Sequence, residues 1–175
     1  MNERPTADRT FQMTWHDTKE AAMRGLAMAG KDYIAAMVRG EMPAPPIAVL
    51  IGFRMTESEV GRSVMTLVPS ERQYNPLGTV HGGVAATVLD SVMGCAVHTT
   101  LPPGRGFTTL EIKINYLRAM SEQTGPVRAE GKVVHSGRST AVAEGRIVDG
   151  EGRIYATGTT TCLLFDLPRA SAPKG

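Results

Sequence analysis

A mostly apolar stretch without proline runs from Val84 to Val97, directly after a pair of glycines. At about 100° per residue, its apolar side chains cover most of the circumference of a helix and leave one narrow polar stripe. That stripe consists of Thr87, Asp90, Ser91, Gly94 and His98. A helix that is apolar almost all round is a buried helix. The pattern therefore predicts a central helix from which one carboxylate, that of Asp90, projects.

Alternating polar and apolar positions predict a half-buried strand soon after this helix, over residues 108–116. Its predicted apolar face holds Leu110, Ile112, Ile114 and Tyr116. Its other face holds Thr109, Glu111, Lys113 and Asn115. Further strands are predicted at 60–68, 127–135, 140–148 and 154–164. The apolar segment 47–54 fits either a short helix or a first strand.

Ahead of these elements, residues 17–40 carry apolar side chains at helical spacing. Asp17 and Glu20 resemble a capping pair at the start of this helix, and Gly40 with the prolines after it marks the end. A stripe that contains methionines is more often packing than function, so we expect it to cover a subunit edge or to help to shape a pocket.

Consecutive strands joined by short turns favour antiparallel neighbours. One long buried helix ahead of them favours an α+β fold, in which a curled antiparallel sheet wraps round the helix. The predicted organisation is an N-terminal helical extension over residues 1–46, one domain over 47–167 and a disordered tail over 168–175.

The formal charge of +2 is too small and too scattered to indicate nucleic acid or an anionic membrane as the main partner. Residues 1–9 are polar and no segment approaches a membrane span, so we expect a cytoplasmic protein. Cys95 falls in the buried helix and Cys162 in a late strand. Both are expected to be packed thiols rather than a disulfide.

The carboxylate of Asp90 is costly on a buried helix unless it is hydrogen-bonded or faces a wet cleft. On its own it could be a structural residue, satisfied by the hydroxyls of Thr87 and Ser91. However, Gly82 and Gly83 lie at the helix start, where backbone N–H groups have no intrahelical partner and the helix dipole is positive. Two glycines let a ligand approach the backbone closely, so this end can bind an anion or stabilise a developing oxyanion.

The run from Asn75 through His81, Gly82 and Gly83 to Asp90, followed by the 108–116 strand, resembles a known family. It is similar to the hotdog-fold acyl-CoA thioesterases of the phenylacetic-acid-degradation (PaaI-like) branch, over roughly residues 47–164. The resemblance implies a hotdog fold and hydrolysis of an acyl-CoA thioester to a free acid and coenzyme A. It also implies a site between two subunits, hence a homodimer at least and a tetramer of paired dimers.

The same resemblance implies a role for each matching residue. Asp90 would be the nucleophile or the general base, and the residues alone do not decide between these roles. The backbone N–H of Gly82 would polarise the thioester carbonyl, while Asn75 and His81 would position the substrate or assist the donors. Thr109 would orient the attacking water.

Three of these residues have simpler interpretations. Asn75 precedes Pro76 and could fix a turn through its side chain. His81 could be a loop histidine bonded to the backbone. Thr109 follows Thr108, and the loop before them is one residue longer than the family pattern, so the choice of hydroxyl is open.

Coenzyme A would bring phosphates to the site, and arginine side chains and exposed turn N–H groups suit phosphate. The turn formed by Gly137, Arg138 and Ser139 resembles the site of the nucleotide portion in the family. Arg118, at the end of a strand, is a further candidate.

Other chemistry finds little support. The four histidines show no metal-ligand spacing and the cysteines form no Cys-x-x-Cys pair, so neither a metal nor a cofactor is expected beyond the substrate itself. Three alternatives differ in class: a non-catalytic acyl-CoA-binding protein, a hotdog dehydratase or hydratase, and a purely structural oligomer module. The first would tolerate the loss of Asp90, and the second usually needs a histidine paired with a carboxylate in a different arrangement. The acyl group is not fixed by these residues: the branch name suggests an aromatic one, and a medium chain is left open.

Overall fold

The computed structural model describes residues 8–167, so the tail expected to be disordered at 168–175 lies outside the described residues. The helices, in chain order, are α1 (Thr18–Leu26), α2 (Gly30–Val38), α3 (Pro46–Ile51) and α4 (Gly82–His98). The strands are β1 (Phe53–Glu59), β2 (Arg62–Leu67), β3 (Arg105–Tyr116), β4 (Val127–Ser136), β5 (Thr140–Asp149) and β6 (Ile154–Asp166). In this part of the chain, no helix has both the length and the apolar character to span a membrane.

Helix α4 is the central helix that the apolar stretch predicts, and it packs against all six strands. Its side chains Val88, Leu89, Val92 and Met93 are fully buried. Each such side chain contributes about 1.5–3 kcal/mol relative to an exposed one. This burial fixes α4, and the polar groups that it carries, relative to the sheet.

The strands form one antiparallel sheet in the order β1-β2-β4-β5-β6-β3. The three predicted strands at 127–135, 140–148 and 154–164 are confirmed as β4, β5 and β6. With the sheet curled round α4 and extra helices at the N-terminal end, the predicted α+β hotdog architecture is confirmed. Strands β1 and β3 form the two edges.

The predicted face assignment within the 108–116 strand is wrong near its start. Leu110, which was expected to share a face with Ile112, is 58% exposed. A β-bulge between Thr109 and Glu111 shifts the register with β6. Because a bulge places one extra residue in the strand, it reverses the alternation beyond it. Thr109 therefore lies on the same helix-facing side as Ile112, which plain alternation would not allow.

The strand predicted at 60–68 is the second half of a hairpin. Its partner β1 escapes the pattern because it is an edge strand whose outward positions are exposed and charged. The turn uses Gly61, whose φ of +77° favours glycine. The segment 47–54, for which the sequence allows a helix or a strand, contains α3, then Gly52 with φ +92°, then the start of β1.

The single helix predicted at 17–40 is divided into α1 and α2. The backbone N–H of Gly30 donates to the carbonyl oxygen of Leu101 at 2.9 Å, just beyond α4. A Cβ atom at Gly30 would overlap the carbonyl oxygen of His98, so only glycine permits this approach. The contact with the end of α4 therefore accounts for the interruption at residues 27–29.

Candidate active site

The carboxylate of Asp90 lies about two turns into α4, opposite β3. The Oγ1 hydroxyl of Thr109 donates a hydrogen bond to Oδ1 of Asp90 at 2.9 Å. The hydroxyl of Thr87 donates instead to the carbonyl oxygen of Gly83 at 2.9 Å. Thr108 is exposed. The structure therefore brings Thr109, and not Thr108, to Asp90.

Asp90 and Thr109 line one cavity of about 590 Å³. Asp90 is only partly buried, and its hydrogen bond with Thr109 uses one of its two carboxylate oxygens. A carboxylate that is held by one hydrogen bond and faces a cavity can act on a bound molecule as a base or as a nucleophile.

At the start of α4, one backbone N–H group is hydrogen-bonded and another is free. Nδ1 of His81 accepts the N–H of Gly83 at 2.9 Å, so His81 is the helix cap and this N–H is occupied. The N–H of Gly82 has no hydrogen-bond partner within residues 8–167. A Cβ atom at Gly82 would lie 3.3 Å from the ring of Tyr116, which covers this position. Gly82 is thus the donor available to a ligand at this helix end.

The donor and the carboxylate do not meet within one chain. Gly82 and Asp90 are eight positions apart on α4, which corresponds to about 12 Å along the helix axis. Gly82 lines a different cavity, of about 370 Å³. Both groups cannot reach one thioester carbonyl from the same chain, because such a site needs them within about 3 Å of the reacting atoms.

The side chain of Asn75 is engaged in its own turn. Its Oδ1 accepts the N–H of Leu77 at 2.9 Å and that of Thr79 at 3.3 Å, and its Nδ2 donates to the Thr79 hydroxyl at 3.1 Å. This is the turn-fixing arrangement that an asparagine before a proline favours. Its hydrogen bonds in the described chain all stay within this loop, which leads to the start of α4.

The chain is similar to known thioesterases and acyl-CoA hydrolases. Residues 77–156 match the family model described as the thioesterase superfamily. The chain is 32% identical over 114 residues to a 1,4-dihydroxy-2-naphthoyl-CoA hydrolase of Listeria monocytogenes, covering 65% of this chain and 91% of that relative. The chain belongs to the thioesterase superfamily. It is accordingly a thioester hydrolase.

Solved structures show the same relationship. A phenylacetic acid degradation-related protein of Ralstonia eutropha is 29% identical to this thioesterase, with a TM-score of 0.68, and the match covers 75% of this chain and 98% of that one. A Streptococcus mutans protein, smu.793, whose structure holds acetyl CoA, is 27% identical with a TM-score of 0.60, over 67% of this chain and 91% of that one.

The cavity beside Asp90 in this thioesterase is lined mainly by apolar and sulfur-bearing side chains. Burial, and after it the nearby Asp90 carboxylate, raise the pKa of the Cys95 thiol to about 12, so this thiol is uncharged at neutral pH. Cys95 is partly buried and Cys162 is buried, and both are free thiols. Phe107 also lines this cavity. The alternation pattern does not predict this, because the β3 bulge determines on which face of the sheet Phe107 lies.

The residues proposed for coenzyme A lie at two ends of the sheet. In the turn between β4 and β5, Arg138 is exposed and its carbonyl oxygen accepts a hydrogen bond from Nη2 of Arg105 at 2.7 Å. Gly137 and Ser139 of this turn are also exposed. Arg118 instead lines the cavity of Gly82, and its Nη1 donates to the carbonyl oxygen of Ile154 at 2.7 Å. One chain therefore separates these two groups of candidates as well.

Proposed function

We propose that this thioesterase hydrolyses an acyl-CoA thioester to the free acid and coenzyme A, in a site that two copies of the chain share. The observation that carries the proposal is the pairing of a cavity-facing carboxylate, Asp90, with the hydroxyl of Thr109 on the facing strand. The names of two similar proteins support the choice of thioester: one is a hydrolase of an acyl-CoA, and the structure of the other holds acetyl CoA.

Hydrolysis needs a polarised carbonyl and an attacking oxygen. In the proposed site, the free N–H of Gly82 donates to the thioester oxygen as negative charge develops there. Asp90 either takes a proton from the attacking water or attacks the carbonyl carbon itself. The hydroxyl of Thr109 fixes the orientation of the Asp90 carboxylate. In both routes the carbonyl carbon gains a bond to oxygen, its bond to sulfur breaks, and coenzyme A leaves as the thiolate and is protonated. When water attacks, this step gives the free acid directly. When Asp90 attacks, it gives an anhydride with the Asp90 carboxylate, which a water molecule then cleaves to release the acid and restore Asp90.

Strand β3 offers the surface on which two copies can meet. It is an edge strand of twelve residues, and no strand pairs with its outer edge in the described chain. A long unpaired edge is a template for pairing with another chain. Antiparallel pairing with a second β3 about a two-fold axis is the simplest way to satisfy it.

This pairing would also complete the site. With the axis at Lys113 and Leu110 left as the extra residue of the bulge, Tyr116 of one copy lies opposite Thr109 of the partner subunit. Tyr116 covers Gly82, and Thr109 holds Asp90. Directly opposite residues of an antiparallel pair share a face of the sheet, so the N–H of Gly82 would approach the Asp90 carboxylate of the partner subunit.

The same two-fold pairing would bring together the candidates for coenzyme A. Arg118 follows β3 beyond Tyr116, whereas Arg138 contacts Arg105 at the start of β3. Antiparallel pairing places the end of one β3 beside the start of the other. Two guanidinium groups from different subunits could then bind the phosphates, with the N–H groups of the turn at 137–139 nearby. Two such dimers would form the tetramer that the resemblance implies.

Release of thiol from a panel of acyl-CoA thioesters tests the proposed function. The panel should contain straight-chain members from acetyl to dodecanoyl and the aromatic members benzoyl and phenylacetyl. We expect turnover of at least one member at a kcat/KM typical of enzymes, about 10⁴ M⁻¹s⁻¹ or more. Binding of acyl-CoA without turnover of any member would reject the proposal and favour a non-catalytic binding protein.

A further inference from the structure

We propose that the N-terminal extension sets the size of the acyl group, and that Met37 is a size-determining residue of the Asp90 cavity. The inference rests on the proposed function, because it names the substrate class of the same site. Met37, on α2, and Met42, in the segment after it, both line the cavity that contains Asp90. Both lie outside residues 77–156, which match the thioesterase family model.

The extension is a fixed wall of the cavity. Ile34 and Ala36 of α2 are buried, at 1% and 3% exposure. The close approach of Gly30 to the carbonyl oxygen of His98 holds α2 against the C-terminal end of α4. Since α4 also carries Asp90, the distance from the wall to the carboxylate is determined by direct packing.

Aromatic contacts connect this wall to β3, the strand whose Thr109 donates a hydrogen bond to Asp90. The ring of Tyr33 on α2 lies 5.4 Å from that of His98, centroid to centroid, and the ring of His98 lies 5.7 Å from that of Phe107 on β3. Burial lowers the pKa of His98, so this ring is neutral at pH 7. These tilted ring contacts therefore join α2, α4 and β3 without adding a charge beside the cavity.

The lining indicates which acyl group fits. The apolar and sulfur-bearing lining of the cavity includes Met37, Met42, Met55, Cys95 and Phe107, and its ionisable lining, apart from Asp90, includes His16 and Arg54. A volume of about 590 Å³ lies within the range of ligand pockets and is far more than an acetyl group needs. Methionine side chains adapt to apolar groups of varied shape. The structure thus assigns to the site a mainly apolar acyl group much larger than acetyl.

Substitutions that narrow or widen the cavity test this inference. Met37 is only partly buried, so a larger side chain can turn into the cavity. We expect Met37→Trp to lower the ratio of kcat/KM for decanoyl-CoA to that for acetyl-CoA by about tenfold or more. Met37→Ala should move the preferred chain length upward. Met23 is a matched control, because it lies on α1, is 66% exposed and does not line the cavity.

The Met23→Trp and Met23→Ala variants should keep the ratio within about twofold of the native value. Unchanged ratios in both Met37 variants, with native thermal unfolding, would overturn the inference. If Met37→Trp loses its cooperative unfolding transition, Met37→Ala decides the question. If the native protein turns over no thioester, the proposed function fails separately. The ratio of calorimetric Kd values for decanoyl-CoA and acetyl-CoA in the same variants then decides the role of Met37.

Discussion

Replacement of Asp90 by asparagine is expected to lower kcat by about 10³-fold, because a carboxamide can neither accept the proton of water nor attack the thioester. The substitution preserves the size of the side chain. The hydroxyl of Thr109, which lies 2.9 Å from Oδ1 of Asp90, can still donate to the asparagine oxygen. The geometry of the cavity should therefore persist, and KM should change little. Steady-state thiol release from the best acyl-CoA measures both constants.

A matched control for this variant is Asp32→Asn. Asp32 lies on α2, is more than half exposed and pairs with Lys31 at 2.8 Å. Exposed pairs of this kind contribute little, so its kcat should stay within about twofold of the native value. An Asp90→Asn enzyme that retains more than about a tenth of native kcat would remove Asp90 from the chemistry.

Replacement of Gly82 by proline is expected to lower kcat by about 10²–10³-fold, the usual loss when one oxyanion donor is removed. Proline has no backbone N–H, whereas alanine at the same position keeps it. Gly82→Ala should therefore retain most of the activity that Gly82→Pro loses. The comparison of the two variants by kcat/KM isolates the contribution of one N–H group.

The local structure around position 82 can accept both alanine and proline. Both substitutions add a Cβ atom 3.3 Å from the ring of Tyr116, so this contact is the same in the two variants. Gly82 is the first residue of α4, a position that proline favours. His81 before it has φ −61° and ψ 137°, the extended conformation that a following proline requires. Equal activities of the two variants, with native thermal unfolding, would contradict the role of the Gly82 donor.

The central part of the fold was predictable from local sequence. The stretch that became α4 is apolar on nearly every side, so burial is the only way to remove it from water. The strands after it alternate and are separated by strong turn residues. In contrast, β1 is a charged edge strand with no apolar period, and the break between α1 and α2 depends on a contact with the end of α4. Neither strand β1 nor the break between α1 and α2 produces a pattern in the neighbouring residues of the sequence.

Local sequence predicted where the candidate residues lie along α4, but not how they are arranged in space. The spacing from His81 to Asp90 identified the helix start and the carboxylate. The pairing of Asp90 with Thr109 rather than Thr108 depends on the β3 bulge, which no alternation pattern shows. Met37 lines the cavity because α2 packs against the end of α4, a contact that the sequence does not show. The methionine stripe of residues 17–40 is compatible with a pocket role but does not require it.

The most direct test of a shared site uses a dimer that carries Asp90→Asn in one subunit and Gly82→Pro in the other, isolated through two different affinity tags. In such a dimer, one of the two sites combines an intact Gly82 from one subunit with an intact Asp90 from the other. A shared site therefore predicts about half of the native kcat per dimer, although each parent homodimer is nearly inactive. A mixed dimer as inactive as its parents would contradict a site built from two subunits.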